Sequence, residues 1–209
     1  MNIKENGEKN REFFNRKIDE YDTTHESYMN TKKELTDNLP NNISKVLDLG
    51  AGTGLELIYL FKRFPNVNVT AIDISENMLK KLKEREFASN VKTICGNFFD
   101  VDFGNNYDAV ISTSALHHFL KEDKIALYKK VYDSLKDGGI FLNCDKVVNT
   151  DEEEQDAIKY YNEYINIKPH IDTPLSIEHE LEILKNVGFK NITISNVEKD
   201  NYRLYKAYK

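Results

Sequence analysis

Long apolar runs are missing from this chain: none of its 209 residues lies in a stretch long enough to cross a bilayer. No signal-peptide pattern opens it, so neither membrane insertion nor export is expected. Cysteine is nearly absent, with only Cys95 and Cys144. Each falls in an expected central strand, so both read as buried thiols. Two such residues make no metal site, and a reducing cytoplasm is the simplest setting. Positive charge is in deficit, at a formal net charge of −6. Broad nucleic-acid binding relies on many Lys and Arg contacts to phosphates, so that partner class is not expected. Internal repeats and low-complexity linkers are absent as well. What remains, 40% hydrophobic and 31% charged, suits one well-buried α/β domain over 1–209.

The most informative segment is Val46-Leu47-Asp48-Leu49-Gly50-Ala51-Gly52-Thr53-Gly54. Val46 to Leu49 reads as a buried parallel strand, and the glycines remove Cβ atoms where the backbone must turn and a ligand must come close. Leu55 to Phe61 then has the dense apolar spacing of a helix packed on a sheet, whose first amides can face a polar or anionic group. A dinucleotide enzyme would show G-x-G-x-x-G, whereas this turn is G-x-G-x-G. Asp48 adds a carboxylate two residues before the first glycine. A charge at the loop mouth opposes a pyrophosphate and welcomes an ammonium group.

Alternating patterns continue from there. Asn68 to Ile72 is a second strand, and Asp73 at its end suits a carboxylate that accepts both hydroxyls of a ribose. Asp73 as a helix-entry residue is the alternative, although Ser75 already supplies that cap. Val91 to Cys95 leads into Gly96-Asn97-Phe98, where an amide can bond an adenine edge and a ring can cover it; a plain turn is the alternative. A fourth strand, Tyr107 to Ser112, runs into Thr113-Ser114-Ala115-Leu116-His117-His118-Phe119, and Ile140 to Cys144 is a fifth. Helices are expected at about 54–64, 75–87, 121–135 and 176–186, with Gly188 stopping the last. Lys190 to Ser195 and Tyr202 to Tyr208 alternate as strands.

The ordered segments VLDLGAGTG, TAIDIS, ICGNFFD, YDAVISTSALHHF and LKDGGIFLNCD resemble a class I S-adenosylmethionine-dependent methyltransferase of the small-molecule type, over about residues 40–209. The resemblance implies a Rossmann-like, seven-stranded, mostly parallel sheet with helices on both faces, closed by a C-terminal hairpin whose last strand is antiparallel. It implies S-adenosyl-L-methionine as cofactor, held by the loop of Gly50, Ala51, Gly52 and Gly54. Backbone groups near Gly50 and Thr113 would hold its aminoacid end, with Asp48 supporting that end through the loop or water. Asp73 would take the ribose, Ile74 and Met78 would flank adenine, and Asn97 and Phe98 would complete the base site. Tyr21 resembles the N-terminal aromatic that covers the methionine portion in many relatives.

Two segments lie outside the alternating plan. One is a lid region over 11–35, which opens with a helix at about Arg11 to Glu20; Met1 to Asn10 is polar and expected to be mobile. The other is an inserted lid over 146–175, with Tyr160, Tyr161 and Tyr164 on a helical stretch and then Pro169, His170 and Pro174. Both would cross near the carboxyl ends of the strands, where open α/β sheets bind ligands. The tyrosines serve equally well as cover for apolar helix surface.

Methyl transfer is an in-line displacement, so the protein mainly positions the reactants and excludes water. His117 and His118 are candidate bases, since histidine titrates near neutrality. A structural role fits each equally, and no metal is expected, because adjacent residues rarely share an ion and no acid partner is evident. His25, Tyr28, Tyr161 and His170 could line the acceptor side. Adenine-amine and glutamine-amide methyltransferases carry Asn/Asp-Pro-Pro-Tyr/Phe where this chain has Ser112-Thr113-Ser114-Ala115, so a small-molecule acceptor is favoured. A non-catalytic S-adenosylmethionine sensor or partner subunit is the alternative, and a NAD-dependent oxidoreductase is disfavoured by the glycine spacing and Asp48.

Overall fold

Side chains on Lys45–Leu49 alternate between two faces, and that alternation organises the whole molecule. This strand, β1, pairs in parallel with β2 (Asn68–Asp73) on one side and β4 (Tyr107–Thr113) on the other. The computed structural model describes residues 3–25, 28–168 and 170–209. Its sheet has seven strands in the order β3-β2-β1-β4-β5-β7-β6, with β3 at Val91–Cys95, β5 at Leu135–Lys146, β6 at Lys190–Asn196 and β7 at Tyr202–Tyr208. β7 runs antiparallel to both neighbours, as the hairpin at the C-terminus implies. The strand order reverses beside β1, which opens a crevice at the carboxyl ends of β1 and β4.

Helices cover both faces. Leu47, Leu49, Val110 and Phe141 point to the side packed by α5 (Lys121–Ser134) and α7 (Ile177–Val187). Val46, Ala71, Ile111 and Leu142 point to the side packed by α2 (Met29–Asp37), α3 (Leu55–Arg63) and α4 (Glu76–Leu82). Both layers are dry: Leu47, Val46, Leu57 and Leu127 are all fully buried. Inside the α5–α7 interface, Lys124 and Tyr128 bond the two carboxylate oxygens of Glu180, and all three side chains are buried.

Several sequence expectations change. The first helix, α1, spans Ile3–Thr24 rather than 11–20, and the tract expected to be mobile is helical from Ile3 onward. Tertiary contact explains this: Gly7 and Asn10 pack on the sheet end, and Lys9 Nζ donates to Ile165 O at 2.6 Å. Residues 29–37 form a helix of their own. α4 ends at Leu82 instead of 87, because Arg85 turns away to bond Thr53 O and the Asp22 carboxylate. β5 starts at Leu135, five residues early, with the Lys136–Gly139 turn carried as an irregularity between its pairings to Tyr107 and Ala109. Cys95 is exposed, not buried, because β3 is the edge strand; Cys144 on central β5 is buried, and both thiols are free. The segment after β5 contains α6 (Asp151–Tyr164), entered through a capping box of Thr150 and Glu153. Pro169 of that segment lies outside the described residues. Among the described residues no helix is long and apolar enough to cross a membrane.

Candidate active site

The turn after β1 is built around backbone that only glycine adopts freely: φ is 77° at Gly50 and 52° at Gly52. Gly50 N donates to Ile72 O at 2.8 Å, tying the turn to β2. A Cβ on Gly50 would stand 2.3 Å from that of Ala115, and one on Gly52 would stand 3.6 Å from Tyr21 Oη. The turn is therefore pressed between the loop after β4 and a residue of α1. Asp73 closes the corner: Gly52 N donates to one of its oxygens and Ser75 N to the other, both at 2.8 Å. Burial pushes the Asp73 carboxyl up to about 6, against the lowering effect of those two amides. Ser75 Oγ accepts from Met78 N, so the helix cap falls to Ser75 and Asp73 is left to face the crevice.

These residues wall a cleft whose empty space, its open mouth included, is about 660 Å³. Of the expected cofactor residues, Tyr21, Gly50, Gly52 and Asp73 line it, with Ile74 and Met78 on one flank and Asn97 and Phe98 on another. Asp48, Ala51, Gly54 and Thr113 do not reach its wall. Asp48 faces the α2–α3 side with Val46, is fully buried, and has no hydrogen-bond partner on either oxygen among the described residues. Burial beside Glu56 pushes its pKa well above the usual carboxylate range, which works against the charge expected at the loop mouth. Gly54 packs on Leu82 as the entry to α3, Ala51 O accepts from Gly54 N, and Thr113 is buried at the end of β4.

The roof is α1. Gly7, Asn10, Phe14 and Tyr21 all line the cleft, and a Cβ on Gly7 would stand 2.7 Å from Asn97 Nδ2, so a side chain there would have to push the Asn97 amide aside. Their spacing of three, four and seven is one helical face, a signal that could have been read from the sequence. Polar ties hold the roof: Thr53 Oγ1 donates to Asp22 at 2.6 Å, Arg85 pairs with the same carboxylate at 2.7 Å, and Ser75 Oγ donates to Asn15 at 2.6 Å. Gly96, Ser114, Ala115 and Phe119 complete the wall. Ser114 has φ 57°, an uncommon conformation outside glycine, which turns the chain sharply where the cleft begins.

A short turn at Leu116–His118 separates the two histidines. His118 lines the cleft; His117 lies behind it. His117 Nδ1 meets Asp145 Oδ1 at 2.5 Å, and its Nε2 lies 3.4 Å from Asp172 Oδ1. Asp145 also accepts from the backbone N–H groups of Leu116 and His117, which fixes the turn. Two acid partners are thus present, distant in sequence and so not evident there. Burial alone would lower the His117 pKa, but Asp145 and Asp172 raise it to about 9. Burial, with His117 and His170 as neighbours, lowers His118 well below the ordinary value. The two rings are thus pushed in opposite directions, His117 toward the protonated form and His118 toward the neutral one.

None of His25, Tyr28, Tyr161 and His170 lines the cleft. His25 stacks on Tyr21 with centroids 3.9 Å apart, Tyr28 packs edge-on against Tyr202, and Tyr161 is buried with Ile165 and Ile171. His170 comes nearer, edge-on to His118 at 4.5 Å and stacked on Phe13 at 4.4 Å.

The cleft suits a nucleoside with an aminoacyl tail. Its glycine turn brings backbone close to a ligand, a carboxylate stands one strand over, and Ile74, Met78 and Phe98 offer apolar faces for a base. A family profile described as a methyltransferase domain matches residues 46–139. The chain is similar to the carboxy-S-adenosyl-L-methionine synthase of Nautilia profundicola, 28% identical over 198 residues that cover 87% of this chain and 84% of that one. It is 30% identical to the carboxy-S-adenosyl-L-methionine synthase of Campylobacter fetus subsp. fetus, over 76% of this chain and 74% of the relative. A solved structure described as an O-methyltransferase of Nostoc punctiforme PCC 73102 superposes with a TM-score of 0.75 at 25% identity, over 92% of this chain. This chain spans 60% of that longer one. The domain match, the relatives and the strand order agree: the chain belongs to the class I S-adenosylmethionine-dependent methyltransferases.

Proposed function

We propose that this enzyme moves the methyl group of S-adenosyl-L-methionine to a small-molecule acceptor in the reducing cytoplasm. The observation that carries the reading is Asp73, presented by the Gly50–Gly52 turn at the wall of a cleft roofed by α1. S-adenosylmethionine supplies a methyl group on a sulfonium sulfur, with a neutral leaving group. Asp73 accepts the ribose hydroxyls with lone pairs that Gly52 N and Ser75 N leave free. Ile74, Met78 and Phe98 hold the base by its faces and Asn97 bonds its edge. The backbone around Gly50, Ala51 and Gly54, with that near Thr113, fixes the aminoacid end, and Tyr21 covers it. Asp48 supports the turn from beneath. α1 and the segment 146–175 act as the lid, meeting where His170 stacks on Phe13, and so exclude water. The roofed cleft supports a metabolite-sized acceptor, entering on the side of His118. With so good a leaving group, positioning supplies most of the rate.

Calorimetry tests the reading. S-adenosylmethionine and its demethylated product are expected to bind one per chain, and Asp73→Ala to weaken both by about 10–100-fold, the worth of hydrogen bonds to a charged group. Incubation with cellular small molecules should then yield a methylated acceptor by mass spectrometry. Unchanged affinity in Asp73→Ala would refute the ribose role. Carboxy-S-adenosylmethionine as the sole product would overturn the methyl-transfer reading.

A further inference from the structure

One oxygen of Asp172 is approached by three imidazoles. Asp172 Oδ1 lies 3.4 Å from His117 Nε2, 3.5 Å from His118 Nδ1 and 3.2 Å from His170 Nε2. The ligand atoms of His117, His118 and Asp172 all fall within 4.8 Å of one another, and both histidines are buried. Ligand atoms around a tetrahedral ion bonded at about 2.0–2.1 Å stand about 3.3 Å apart, close to the separations of His117 Nε2 and His118 Nδ1 from Asp172 Oδ1. We propose that His117 Nε2, His118 Nδ1 and the Asp172 carboxylate bind one divalent transition-metal ion of the zinc type at the acceptor end of the cleft.

The surroundings have the character of ligand support. Imidazoles that bind metal hand their second nitrogen to a carboxylate, a carbonyl or water, which fixes the ring and its tautomer. His117 does so with Asp145 at 2.5 Å, and Asp145 is itself held by two backbone amides. His170 Nδ1 sits 3.2 Å from Asn10 Oδ1, and its Nε2 lies 3.2 Å from Asp172 Oδ1, so the ring braces the carboxylate from outside the ligand set. Lys146 Nζ holds the other Asp172 oxygen at 2.9 Å, so Oδ1 alone faces the histidines. Two imidazoles and one carboxylate suit Zn²⁺, Co²⁺ or Fe²⁺, whereas Mg²⁺ and Ca²⁺ want oxygen.

Position gives the ion a use. His118 is at once a ligand and part of the cleft wall. Resting on the methyl-transfer reading, the ion's open position would take an acceptor hydroxyl and lower its pKa, so that its proton passes to solvent and the oxygen's remaining lone pair attacks the methyl carbon as the sulfonium leaves as a neutral thioether. A second group, Asp151, Glu154 and His179, is close enough to hold an ion, but Ser176 Oγ and N already bond Asp151 and Glu154. It is read as the joint between α6 and α7.

Co²⁺ is the probe. Chelator-stripped protein is titrated with Co²⁺ and followed by visible absorption, with Zn²⁺ as competitor. One Co²⁺ per chain is expected, with the intense bands of a four-coordinate site, displaced by Zn²⁺. His118→Gln and Asp172→Asn, checked for folding by circular dichroism, should each weaken binding by at least about 10–100-fold. Where His117→Ala fails to fold, those two variants keep the test intact. Weak six-coordinate Co²⁺ binding, equal in wild type and Asp172→Asn, would overturn the site. Calorimetry with the demethylated donor runs beside it. Co²⁺ binding without donor binding would uphold the ion site while removing the methyl-transfer reading.

Discussion

Replacing Gly50 by alanine tests the corner on which cofactor binding depends. At φ 77° an L-residue costs about 1–2 kcal/mol for the left-handed backbone. The new methyl would also stand 2.3 Å from the Cβ of Ala115, far inside contact distance. Relieving such overpacking by shifting backbone costs about 1–3 kcal/mol. Ala115 lies next to Ser114, already in the left-handed region at φ 57°, so its loop has little slack to give. The two costs together come to about 2–5 kcal/mol, a melting point lower by about 5–20 °C for a domain of this size. The same logic defines a rescue. Ala115→Gly removes the atom that clashes, so the double variant should regain the overpacking share and keep only the backbone share. The double-mutant cycle is expected to show about 1–3 kcal/mol of coupling. Thermal and urea unfolding by circular dichroism measure all four proteins. Gly50→Ala melting within about 2 °C of wild type, or additive effects of the two changes, would show that the turn is not pressed as described.

Buried charge sets two further outcomes. The Asp73 carboxyl is raised to about 6 by burial, so its contribution to folding is present at low pH and is lost as pH rises through that value. Donor binding has the opposite sign, because ribose hydroxyls bond the carboxylate: affinity measured by calorimetry should fall as pH drops below about 6 in wild type and stay flat in Asp73→Asn. Lys124→Ala would leave Glu180 buried with only Tyr128 for a partner, at a cost of about 3–5 kcal/mol, whereas Lys124→Met with Glu180→Leu should recover most of it. A Lys124→Ala protein that melts with wild type would sink that assignment.

The donor half of the cleft is legible in the sequence because its parts are local. The Gly50–Gly54 turn, Asp73 and Asn97-Phe98 each come directly after a strand whose apolar run can be read, and the sheet order makes those strand ends converge. What escaped reading was set by tertiary context. Asp48 sits in the same motif, yet the alternation of β1 turns it into the α2–α3 layer, where burial raises its pKa. Cys95 looks central in sequence and becomes exposed because nothing pairs beyond β3. The first ten residues are mostly polar, with Met1 and Ile3 as the large apolar side chains, so periodicity gives little sign of the helix that Gly7 and Asn10 anchor to the cleft.

The acceptor half is illegible for a related reason. Its groups come from four places in the chain: His117 and His118 after β4, Asp145 on β5, His170 with Asp172 in the segment before α7, and Asn10 on α1. No local pattern links them, since their contacts span up to 160 residues of sequence. Each is unremarkable alone, because a histidine pair on a turn has many ordinary explanations. Folding turns them into one buried, strongly polar cluster against a cleft whose other walls are largely apolar. Such a cluster costs desolvation energy that a purely structural turn does not require, since Asp145 already fixes the turn through the amides of Leu116 and His117. Asp172 and His170 come to the same two imidazoles from a distant segment, and that convergence beside His118 is what the chemistry of the acceptor side has to explain.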